Sequence, residues 1–76
     1  MITVLVFAHL KEKFGQPRLV LEEQELTVSQ LRRVLAEQYD LQDNSVMIAV
    51  NEEFAEEDEV IRAGDTVALI PPVSGG

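Results

Sequence analysis

The chain has 76 residues, with six basic and fourteen acidic side chains, a net charge of −8 and no cysteine. That length holds one domain at most, and without Cys it has no disulfide, zinc–thiolate centre or thiol nucleophile. The acidic balance repels nucleic-acid phosphates and anionic membranes and favours basic surfaces on partner proteins.

The run Ile2–Ala8, ITVLVFA, is rich in β-branched residues and predicts a strand; it is far too short to cross a membrane. The stretch MITVLVFAHLKEKFG carries neither a basic leader nor a small-residue cleavage site, so a cytoplasmic location is expected. HLKEKFG suits one or two helical turns closed by Gly15. RLVLEE, after Pro17, predicts a second strand. The clearest helix is TVSQLRRVLAEQY, where Thr27 and Gln30 match a capping box. Val28, Leu31, Val34 and Leu35 form its apolar stripe, with Arg32, Arg33 and Glu37 facing elsewhere. It ends near Tyr39–Asp40, and LQDNS follows as a loop. VMIAVN predicts a third strand, EEFAEEDEV an acidic connection with room for a very short strand, and RAGD a turn at Gly64. TVALIP is the last strand, stopped by Pro71 and Pro72. This ββαββ order implies an α+β fold, a mixed sheet packed on one main helix.

Alternation splits each strand between two faces. With Ile2, Val4, Val6, Ile48, Val50, Val67 and Leu69 turned to the helix, the opposite face carries Leu5, Phe7, Met47, Ala49, Ala68 and Ile70, with Phe54 nearby. One helix covers only one face of a sheet, so this surplus points to a partner contact. Two other readings are open: loops that cover the face, or a register one residue out.

Side-chain chemistry is sparse. His9, the single histidine, has no nucleophile in a recognisable relation to it and reads as an ordinary helix-start residue. Glu52–Glu59 holds six carboxylates in eight residues without the Gly and alternating ligands of a calcium loop, and reads as a solvated surface with no metal. No Gly-rich phosphate loop is present, so a nucleotide site in this chain is not expected.

The sequence ends in PPVSGG. Gly-Gly arises at a random terminus about 0.5% of the time, and a loose end needs no function. The lead-in gives another reading: Pro71 and Pro72 favour extended backbone, and six residues reach roughly 20 Å at ~3.3 Å each. Gly75 and Gly76 let a terminal carboxylate pass through a channel as narrow as a backbone. A carboxylate resists nucleophiles until it is joined to AMP, a step that another protein must perform.

VLVFAHLKEKFG, AVNEEF and GDTVALIPPVSGG together resemble the MoaD family, the small subunits of molybdopterin synthase, across essentially the whole chain. The resemblance implies a ubiquitin-like β-grasp domain over residues 1–70 and an extended Gly-Gly tail over 71–76. It implies a first strand parallel to the last. It implies that Gly76 is adenylated by a MoeB-like (E1-like) partner, which uses the ATP, and converted to a thiocarboxylate, with Gly75 permitting threading. A MoaE-like large subunit would take the tail, contacting Phe7, Phe54, Ile70, Pro71, Pro72 and Val73. Thiocarboxylates delivered in turn would supply the dithiolene sulfurs that turn cyclic pyranopterin monophosphate into molybdopterin; the carrier alone would have no activity and bind no cofactor. Many members have Arg-Glu where this chain has Lys11–Glu12, which keeps the charge without the guanidinium geometry. Three rivals stand beside this reading. One is a carrier for thiamine thiazole synthesis, usually shorter and without Pro-Pro-Val. The others are a ubiquitin-like modifier of lysines and a plain binding module.

Overall fold

The computed structural model of the chain describes residues 1–41 and 45–71, apart from the side chains of Ala8 and His9. In chain order the elements are β1 (Ile2–Val6), α1 (Ala8–Phe14), β2 (Arg18–Leu21), β3 (Glu25–Thr27), α2 (Val28–Tyr39), β4 (Met47–Val50), β5 (Glu53–Phe54), β6 (Val60–Arg62) and β7 (Thr66–Ile70). Five strands form one mixed sheet in the order β2-β1-β7-β4-β5, and β3 pairs with β6 in a separate two-stranded sheet. The first and last strands are parallel, in the register Val4↔Val67 and Val6↔Leu69, as the resemblance implied. The other pairings are antiparallel.

Helix α2 forms where its start signals agree. The Gln30 N–H donates to Thr27 Oγ1 at 3.1 Å, and the Thr27 N–H donates to Gln30 Oε1 at 2.8 Å, completing the capping box. The helix's first two N–H groups, those of Val28 and Ser29, donate to the Glu59 and Glu57 carbonyls at 3.0 Å. The acidic segment thus closes the helix start with its backbone, satisfying donors that have no partner within the helix. At the other end Asp40 adopts φ 56, and its N–H reaches the Leu35 carbonyl, a left-handed cap of the kind Gly usually supplies.

Val28, Leu31 and Leu35 are buried against Ile2, Val4, Val6, Ile48, Val50, Val67 and Leu69 on the inner face of the sheet. Val34 is only half-buried, at the margin of the stripe. No polar or charged side chain is buried among the described residues, so hydrophobic burial carries the core. Arg32 does more than face solvent. Its Nε meets Glu57 Oε2 at 2.8 Å, and its Nη1 donates to the Val46 carbonyl at 2.8 Å, tying α2 to the acidic segment and to the start of β4.

Two expectations are corrected. The first strand stops at Val6, and Ala8 already begins α1. The β3–β6 ribbon was not foreseen: in each three-residue strand the paired residues Leu26 and Ile61 are the buried apolar positions, too few to show a period. The short strand expected in the acidic connection is β5. No helix among the described residues is long and apolar enough to cross a membrane.

Candidate functional site

The chain leaves the sheet from its middle. β7 lies between β1 and β4; its pairing with β1 ends at Val6↔Leu69, one residue before Phe7, and Met47 pairs with Ile70 from the other side. Phe7 and Met47 are each 47% exposed, while Ile70 and Pro71 are half-buried. Phe7 occupies the N-cap of α1 in extended conformation and makes no side-chain capping hydrogen bond; its ring is an apolar surface where a small polar side chain is the usual choice.

The sheet face away from α2 carries a continuous row across all five strands, Arg18–Leu5–Ala68–Ala49–Phe54, fixed by successive pairings. Phe54, at its edge, is 64% exposed. The surplus expected from alternation is therefore on this face, with one correction: Ala49 is 4% exposed. Its methyl group is small and lies between strand partners on both sides, so neighbours cover it. Val20, 50% exposed and paired with Thr3, extends the face onto β2; the alternation within RLVLEE was the signal that could have found it.

A depression of about 470 Å³ opens in this face, lined by Leu5, Phe7, Asn51, Glu52, Thr66 and Ala68. Asn51 and Glu52 are the two-residue loop between Val50 and its partner Glu53. Both take positive φ, 51 and 73, as a type I′ hairpin turn requires. Asn51 is pinned at both ends of its amide: Nδ2 donates to Asp65 Oδ1 at 3.0 Å, and Oδ1 accepts the Thr66 N–H at 3.0 Å. Asp65 Oδ2 also accepts the Arg62 N–H at 2.8 Å. These bonds, that to the Arg62 backbone first and that to Asn51 second, hold the Asp65 carboxyl below its ordinary value. The turn after β4 and the turn before β7 are thereby locked to each other at the start of β7.

Of the residues expected to meet a partner, Phe7, Phe54, Ile70 and Pro71 are brought to one face or to its rim. Pro72, Val73, Gly75 and Gly76 lie outside the described residues, as does the side chain of His9. The roles of Asn51, Glu52 and Thr66 in the depression were not anticipated. An Asn between a strand and an acidic residue is a turn signal, but its partner Asp65 is distant in sequence.

The ThiS family model matches residues 4–76. The molybdopterin synthase sulfur carrier subunit of Escherichia coli (strain K12) is 37% identical, with 100% of both chains covered. That of Haemophilus influenzae (strain Rd) is 31% identical, again with 100% of both covered. Among solved structures, SAMP1 from Haloferax volcanii superposes with a TM-score of 0.79 at 28% identity, covering 99% of this chain and 98% of that one. The likeness extends over the ubiquitin-like β-grasp architecture, in which a mixed sheet wraps one main helix.

Proposed function

The chain belongs to the ThiS family, and on that premise we propose that it is the sulfur carrier subunit of a molybdopterin synthase, working in the cytoplasm. The observation that carries this reading is the full-length similarity to curated subunits of that name in a chain that ends in Gly75-Gly76. Full-length agreement with those subunits favours it over a carrier for thiazole synthesis.

The chemistry belongs to the terminus. The Gly76 carboxylate attacks the α-phosphorus of ATP in a MoeB-like adenylating enzyme and expels pyrophosphate. A sulfur nucleophile supplied from outside then attacks the acyl carbon and expels AMP, leaving a thiocarboxylate. A MoaE-like large subunit receives that tail and transfers the sulfur to cyclic pyranopterin monophosphate, a second loaded carrier providing the second sulfur. This chain contributes delivery. The tail segment departs from the central strand, and Phe7 and Phe54 on the exposed face, with Ile70 and Pro71 at its rim, offer the apolar contact that holds the body while the tail is threaded. Pro72 and Val73 continue that contact, and Gly75 keeps the thread narrow. Fixing the body where the tail must enter converts transfer into an oriented, effectively unimolecular step.

The test is to incubate the protein with ATP, the adenylating enzyme and a sulfide source, then to weigh its C-terminal peptide. Oxygen-to-sulfur exchange at Gly76 is expected, with molybdopterin formed once the large subunit is added. The peptide is needed because oxidation of Met1 or Met47 adds nearly the same nominal mass. Deleting Gly76 should abolish transfer and leave folding intact; a truncated protein that still yields molybdopterin would end the proposal. Lysine-linked adducts would instead favour a protein modifier, the reading that the likeness to SAMP1, a small archaeal modifier protein, keeps in view.

A further inference from the structure

Glu52 combines three features that belong together. Its backbone is held at φ 73, a conformation that costs a side-chain-bearing residue roughly 1–2 kcal/mol and that Gly adopts freely. Its carboxylate makes no hydrogen bond or ion pair among the described residues, so it is open to a partner's cation. And it lines the depression whose floor is Leu5 and Ala68 and whose far end is Phe7. The hairpin imposes the positive φ, which Gly would meet without cost; a glutamate there places a carboxylate at the rim of the depression instead.

We infer that this depression is the seat of one cationic side chain, an arginine or lysine of the large subunit, its apolar stem lying over Leu5 and Ala68 and its charge paired with Glu52. This rests on the docking reading above and names the contact that orients it. The dimensions agree. Ala68 and Thr66 are two residues apart on β7, about 7 Å along a strand, and the alkyl stem of Lys or Arg lies on apolar surface while its charged head reaches a polar edge. Charge agrees as well: the body carries −8, so a cationic anchor is drawn in from a distance. Asn51, tied to Asp65 and Thr66, fixes the turn and so holds the Glu52 backbone in place beside the apolar floor.

The experiment measures binding of the purified large subunit to the full-length carrier by calorimetry, together with thermal unfolding of each carrier alone. Glu52→Gln should weaken binding about tenfold, the loss expected for a charge-assisted pair left with one partner. Glu52→Gly should also weaken binding while raising the unfolding midpoint by about 4–8 °C, because the strain is released. Glu52→Lys should abolish binding, and reversing a single Lys or Arg on the facing surface of the large subunit should restore it. Wild-type binding matched by Glu52→Gln, or no reversal that restores Glu52→Lys, overturns the inference and leaves the carrier reading standing. A Glu52→Gly protein no more stable than wild type removes the strain and overturns it too. Failure of the wild-type carrier to bind the large subunit at all overturns the carrier reading, and this inference with it.

Discussion

Asp65 shows how a single exposed carboxylate can be given structural work. It accepts from the Arg62 backbone at 2.8 Å and from the Asn51 amide at 3.0 Å, and both bonds favour its charged form. Its folded pKa lies below the unfolded value near 3.8. The stabilisation is therefore fully present above that unfolded value and is lost as pH falls through the lower, folded one. Urea melts taken from about pH 5 down through this range should show wild type losing stability more steeply than Asp65→Asn. Equal slopes would mean that the carboxylate is not engaged. Little of this was legible beforehand. Asn51 stood out only as part of AVN, and its partner lies 14 positions away, beyond any local pattern. The positive φ of Glu52 was equally hidden, since Glu at such a position contradicts its own preference.

Elements read well where one stretch of sequence holds all the determinants. α2 declares itself through Thr27, Gln30 and a stripe with helical spacing, and the structure starts it at Val28 with both arms of the box made. Thr27→Ala should cost about 1 kcal/mol of stability, measured by urea denaturation; no change would show that the carbonyls of Glu57 and Glu59 suffice to close the helix start. The β3–β6 ribbon escaped notice because its determinants are split between Leu26 and Ile61, which lie far apart in sequence in strands of three residues each. Arg32 was read as a surface charge for the same reason: its partners Glu57 and Val46 come from distant loop positions. Sequence displays a helix's face but not what will arrive to cover its cation.

At the scale of the whole molecule, the five-stranded sheet turns a buried face to α2 and an exposed face away from it, and on the proposed function the exposed face serves recognition. Replacing Phe54, 64% exposed on the outer face, by Ala should change the unfolding midpoint little while weakening association with the proposed large subunit. Calorimetry and thermal melts on the same variant separate the two, and a large drop in midpoint with unchanged binding would reverse the assignment. Alternation made the buried and exposed faces readable in advance; the depth of Ala49 was not, because shelter by neighbours depends on which strands lie alongside. The position of β7 has a mechanical consequence. Its hydrogen bonds to β1 and β4 run across the strand, so a tug along the segment beyond Ile70 loads both ladders in shear, every rung together. An edge strand pulled the same way would be held by one ladder alone. A pull on that segment is therefore shared between two ladders, and the sheet resists it twice over.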